Sequence, residues 1–127
     1  MKKFIKIVTD ILLVIVLVMA AVLYIPRLMG LKTYKVLSGS MEPEYHVGSV
    51  VYVEKSLIDD IEVGDVITFY INDNTVVTHR VVDKDDDTES FRTKGDANEI
   101  EDGVSVAYDK VVGKVVLNVP YLGYILR

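Results

Sequence analysis

Residues 11–26 read ILLVIVLVMAAVLYIP, sixteen positions without a charge, and this run restricts what the chain can become more than anything after it. Lys2, Lys3 and Lys6 precede the run and Arg27 follows it. A helix needs about 20 mostly apolar residues to cross the hydrocarbon layer. The run reaches that length once Phe4, Ile5, Ile7 and Val8 are counted on one side and Leu28, Met29 and Leu31 on the other. Lys6 and Arg27 then reach toward the headgroups, as long cations do. Asp10 is tolerable only near an interface. A secretory leader begins in the same way, and Met19-Ala20-Ala21 offers the small residues of a cleavage site. However, the apolar run continues through Val22, Leu23, Tyr24 and Ile25, where a processed leader turns polar. The expectation is therefore an uncleaved membrane anchor over residues 1–31. Its orientation is not written in the charges, because Lys2, Lys3 and Lys6 stand against Arg27, Lys32 and Lys35.

The chain of 127 residues leaves room for one further domain, residues 32–127. Asp10 is the only acid before Glu42, so residues 32–127 are more acidic than the chain's net charge of -5 shows. An acidic domain is a poor match for a phosphate backbone, which argues against nucleic-acid binding. Cysteine is absent, and disulfides and Cys-ligated metals are absent with it. Short β-branched and aromatic runs follow one another: residues 34–37, 49–55 (SVVYVEK), 65–71 (DVITFYI), 76–82 (VVTHRVV), 90–94 and 111–117. Asn72-Asp73-Asn74 joins the third and fourth runs as a hairpin, and Asp85-Asp86-Asp87 reads as a solvated loop. None of these runs has the length or period of a helix. The expected fold is mainly β: an N-terminal transmembrane helix followed by a small antiparallel β domain.

Ser38-Gly39-Ser40-Met41-Glu42-Pro43 follows the first strand as a tight segment, with Gly39 permissive and Pro43 stiff. A serine on such a turn can aim its hydroxyl and its own N–H at one point, although most Ser/Gly/Pro segments are simply turns. A serine hydroxyl needs a nearby base. Two histidines are available. Alternation puts His79 on one strand face with Val77 and Val81, either as buried structure or as a positioned base. His46 reads as a loop residue. Asp96 and Asp102 each adjoin a glycine, and either carboxylate could hold a histidine as the third member of a triad. Aspartates beside glycine are more often turn formers.

Together these blocks resemble signal peptidase I, in the branch found in the endoplasmic reticulum, archaea and some Gram-positive bacteria. The resemblance runs through the anchor, Ser38-Gly39-Ser40-Met41-Glu42-Pro43, Val63-Gly64-Asp65-Val66-Ile67, Thr78-His79-Arg80-Val81-Val82, Lys94-Gly95-Asp96-Ala97-Asn98, and Val112-Gly113 through Pro120-Tyr121-Leu122-Gly123-Tyr124. It implies Ser40 as nucleophile, His79 as base and Ser38 as the hydroxyl that assists the Ser40 N–H in the oxyanion hole. It leaves Asp96 and Asp102 both open as the group that orients the histidine, with Asp102 favoured. It also implies signal peptides with Ala-x-Ala-like ends as substrates, the bilayer as a second partner, a catalytic domain outside the cytoplasm, and no cofactor or metal. No accessory subunit is named by the sequence. Many relatives continue into a second membrane segment, whereas this chain stops at Leu126-Arg127. Two other readings stand beside this one. A non-catalytic, membrane-tethered β domain explains the anchor and strands but gives Ser40, His79 and Asp96 no purpose. A Ser–Lys self-cleaving repressor would use Lys84 or Lys94 as base, but the chain has no space for its helical DNA-binding domain.

Overall fold

An apolar stretch flanked by cations can satisfy its backbone without water only by hydrogen-bonding within itself. In the computed structural model, which describes residues 1–124, it does so as a single helix, α1 (Lys2–Leu28). At 1.5 Å per residue α1 is about 40 Å long, which is long and apolar enough to cross a membrane. Its apolar side chains from Phe4 to Ile25 are mostly exposed. Lys6 and Asp10 pair one turn apart at 3.0 Å. The helix stops in a Schellman motif, in which the Leu31 N–H donates to the Pro26 carbonyl and the Gly30 N–H to that of Arg27. Gly30 adopts the positive φ of 84° that this stop requires.

The chain divides by its contacts into Met1–Leu31 and a second unit from Lys32 onward. The second unit is a seven-stranded sheet in the order β1-β2-β7-β3-β4-β5-β6, with every neighbouring pair antiparallel. Its strands are β1 (Lys32–Lys35), β2 (Val50–Glu54), β3 (Val66–Asn72), β4 (Thr75–Asp85), β5 (Ser90–Lys94), β6 (Val106–Ala107) and β7 (Val111–Val119). β2 is covered on both faces, since Val50, Val51, Tyr52 and Val53 are each at most 3% exposed. That suits a continuous β-branched and aromatic run. A second core gathers Ile61, Ile67, Phe69, Val81, Phe91 and Val106. Burying a side chain the size of Phe91 contributes about 1.5–3 kcal/mol, and its ring also packs 4.8 Å from that of Tyr108.

The 72–74 hairpin forms as the sequence implies, with the Asn74 N–H donating to the Asn72 side chain at 2.9 Å. Three strands differ from expectation. β1 begins at Lys32 and ends at Lys35 instead of covering residues 34–37, because its extent follows pairing with residues 50–53 of β2, and Leu37 projects at 80% exposure. β4 continues to Asp85, since β5 pairs with its second half, so the acidic loop starts one residue later than expected. β6, two residues paired to Ser90 and Phe91, has no β signal of its own. The stop at Leu126-Arg127 lies outside the described residues.

One division within β4 matters for the site. Its first half, residues 75–79, pairs with β3 on one edge, and pairing with β5 starts only at Arg80. β1 is the edge strand at the far end of the sheet order.

Candidate active site

A groove of about 440 Å³ is lined by residues 34–38, by Met41 and Val51, and by residues 75–79. Strands first and fifth in the sheet order thus line one cavity, which requires a strongly curled sheet. Ser40 and His79 both line this groove.

His79 is 8% exposed, pairs across the ladder with Ile67, and takes an edge contact from Phe69 at 6.4 Å between ring centres. Its two ring nitrogens face different partners. Nδ1 lies 2.6 Å from Asp102 Oδ2, and Nε2 lies 3.1 Å from the Ser40 hydroxyl. A carboxylate has no proton to give, so Nδ1 carries the hydrogen and donates it, leaving the Nε2 lone pair to accept from Ser40. The Ser38 hydroxyl stands 3.2 Å from that of Ser40. Asp102 is fixed from β5: its N–H donates to the Thr93 carbonyl at 2.8 Å, and the Thr93 hydroxyl donates to its Oδ2 at 2.7 Å.

Ser40 is also held from behind. Its carbonyl accepts the Ala97 N–H at 2.9 Å. A Cβ at Gly95 would lie 2.6 Å from the Ser40 carbonyl oxygen and 3.1 Å from its Cβ, so only glycine admits this approach. The same loop carries Asp96, whose carboxylate does not meet His79. Arg80 takes it bidentately, Nε to Oδ1 at 2.8 Å and an Nη to Oδ2 at 2.7 Å, while its other Nη donates to the Gly64 carbonyl at 2.7 Å. The Arg80 bonds hold the Asp96 carboxyl below the usual carboxylate range, against partial burial, and they raise the Arg80 pKa in turn.

The structure therefore brings Ser40, Ser38, His79 and Asp102 together and separates Asp96 from the histidine. The other candidate bases are engaged elsewhere. His46 is exposed and paired with Glu42. Lys84 donates to the carbonyls of Ile58 and Ile61 at 2.9 and 3.1 Å, and Lys94 to that of Gly95 at 3.1 Å. Among the described residues no group of His, Asp and Glu could hold a metal ion. Arg80 and Thr93 were assigned no role from the sequence. An arginine inside a run of valines does signal a paired charge, because an unpaired one is costly there. Nothing marks Thr93.

A serine whose proton faces an imidazole, itself anchored by a carboxylate, is the arrangement that makes a hydroxyl nucleophilic. The family model for signal peptidase, peptidase S26, matches residues 7–100. The chain is 38% identical over 120 residues to signal peptidase I W of Bacillus subtilis, covering 84% of this chain and 63% of that protein. It is 35% identical over 101 residues both to the signal peptidase complex catalytic subunit SEC11 of Fusarium vanettenii and to SEC11C of Homo sapiens, covering 71% of this chain and 59% and 53% of theirs. The chain belongs to the S26 family of signal peptidases. It spans between about half and two thirds of the length of these relatives.

Proposed function

We propose that this chain is a membrane-anchored serine endopeptidase that removes N-terminal signal peptides from exported preproteins. The observation that carries the reading is the unbroken line of contacts from Ser40 through His79 to Asp102, with Ser40 and His79 lining a groove flanked by strands with open edges. In this reading α1 anchors residues 1–31 in the cell membrane, and residues 32–127 form the catalytic domain on the extracytoplasmic side. An extended signal-peptide end lies between β1 and the first half of β4, and both edges offer it backbone hydrogen bonds. Small side chains before the cut fit its shallow walls. Nε2 of His79 takes the Ser40 proton as the oxygen attacks the scissile carbonyl. The Ser40 N–H and the Ser38 hydroxyl stabilise the oxyanion. Protonated His79 gives its proton to the leaving amine, and a water activated by the same nitrogen then releases the acyl group.

The test is cleavage of a preprotein ending its signal in Ala-x-Ala by the full chain in detergent. Ser40→Ala and His79→Ala should each lower kcat/KM by about a thousandfold or more with the circular dichroism unchanged. Ser38→Ala should cost about a hundredfold. Wild-type rates in His79→Ala would remove that residue as base. No cleavage by the wild type, with no labelling of Ser40 by a fluorophosphonate, would leave a non-catalytic β domain as the better reading.

A further inference from the structure

Asp102 sits on the loop that follows β5, not on a strand, and the hydrogen bonds its carboxylate accepts come from two strand residues, His79 and Thr93. The Thr93 side chain is fully buried, 0% exposed, on a strand whose register sets it opposite Val81, two residues from His79. Its hydroxyl donates to Oδ2 of Asp102 at 2.7 Å, the same oxygen that accepts the His79 Nδ1–H at 2.6 Å. The backbone bond from Asp102 to the Thr93 carbonyl closes a small ring of contacts between the two residues. That backbone bond places the Asp102 main chain and leaves the last torsion of its carboxylate free. The Thr93 hydroxyl, donating to the same oxygen as the His79 Nδ1–H, restrains it.

We infer that Thr93 is a positioning residue for the proposed hydrolysis, its buried hydroxyl locking the Asp102 carboxylate in the rotation that holds His79 as the Nε2 base. The inference rests on the function proposed above. It requires a hydroxyl at residue 93, not merely a β-branched side chain to fill the core. Threonine to valine keeps the shape and removes the donor; threonine to serine keeps the donor and trims the shape.

The experiment uses the full chain in detergent micelles as wild type, Thr93→Val and Thr93→Ser, read in two ways. On an Ala-x-Ala signal peptide, Thr93→Val should lose about tenfold to a hundredfold in kcat at unchanged KM, the range spanned by one hydrogen bond to a charged group. Thr93→Ser should recover most of that loss even if it is the less stable of the two. Independently of activity, the His79 Nδ1 proton should give a far-downfield NMR resonance in the wild type and in Thr93→Ser. That resonance should move upfield or vanish in Thr93→Val. If Thr93→Val does not fold, Thr93→Ala carries the same comparison. An unchanged resonance and unchanged kcat in the hydroxyl-free variant overturn the inference. So does a loss of kcat that serine fails to restore, which is the signature of packing alone. If the wild type cuts no signal peptide, the proposed function fails, while the resonance still decides whether Thr93 holds the carboxylate.

Discussion

Ser40 is positioned by its own turn, closed from the Glu42 N–H to the Gly39 carbonyl, and by the loop facing it. Ala97 donates to its carbonyl, and Gly95 approaches so closely that a methyl group would meet the Ser40 carbonyl oxygen at 2.6 Å. The atom in the way belongs to the backbone, so no side-chain rotation can relieve the clash. Gly95→Ala must therefore move either the loop or Ser40. Displacing a reacting group by about 1 Å can cost on the order of a hundredfold in rate. The expected outcome is a loss of about that size in kcat on a signal-peptide substrate, with far-UV circular dichroism close to that of the wild type and a melting temperature lower by several degrees. Equal rates in the two proteins would show that Ser40 does not depend on this contact. Ser38 and Ser40 are two residues apart, and their hydroxyls meet at 3.2 Å. A sequence can place such a pair, because the distance is local.

The elements carrying the remaining groups meet through strand pairing, and that explains which parts of the site were legible. His79 could be assigned a strand and a face because alternation is local, and its neighbours Val77 and Val81 mark that face. Whether Asp96 or Asp102 meets it depends on how the segment after β5 folds back, and spacing does not encode that. The decisive contact is Arg80, next to His79 but on the opposite face, which captures Asp96 and ties its loop to β4. Ladder pairing likewise set the ends of β1 and β4 and created β6, whereas the strongly β-branched β2 and β3 were visible from their own residues. The Arg80–Asp96 pair yields a pH-dependent prediction. The folded-state pKa of Asp96 is depressed by the Arg80 bonds. Its contribution is therefore fully present above the ordinary carboxylate value of about 3.9 and is lost as pH falls through the depressed value. The pair is bidentate and only partly exposed, so it should be worth about 1–2 kcal/mol, between an exposed pair and a buried one. Asp96→Asn should be less stable than the wild type by that amount in urea unfolding at pH 7. The difference should shrink as the pH is lowered from about 4. A gap that stays constant down to pH 2 would mean that the carboxylate charge is not what stabilises the loop.

At the scale of the whole chain, the proposed function makes α1 the tether of the catalytic domain. Its uncharged stretch, residues 11–26, measures about 24 Å at 1.5 Å per residue, whereas the hydrocarbon core is about 30 Å thick. In the proposed function the apolar residues on either side make up the shortfall, at the cost of drawing Lys6 and Asp10 toward the interface. The 3.0 Å pair between those two side chains offsets their own charges, while Lys2 and Lys3 leave that end of the helix positive. The span therefore has little apolar length to spare, and it should be sensitive to charge near its middle. An arginine at the centre of a span costs about 2.5–3.5 kcal/mol to insert. Val16→Arg with Leu17→Arg should then lose on the order of 5–7 kcal/mol, enough to move most of the protein from the carbonate-resistant membrane fraction into the soluble one. Because the residues proposed for catalysis all lie beyond Lys32, the released protein should still cut a short signal peptide in detergent at close to the wild-type rate. It should fail on a preprotein whose signal is already inserted in a bilayer, since tethering supplies a high effective concentration that free diffusion does not. If the double variant remains in the membrane fraction and processes the inserted preprotein normally, α1 is not the anchor.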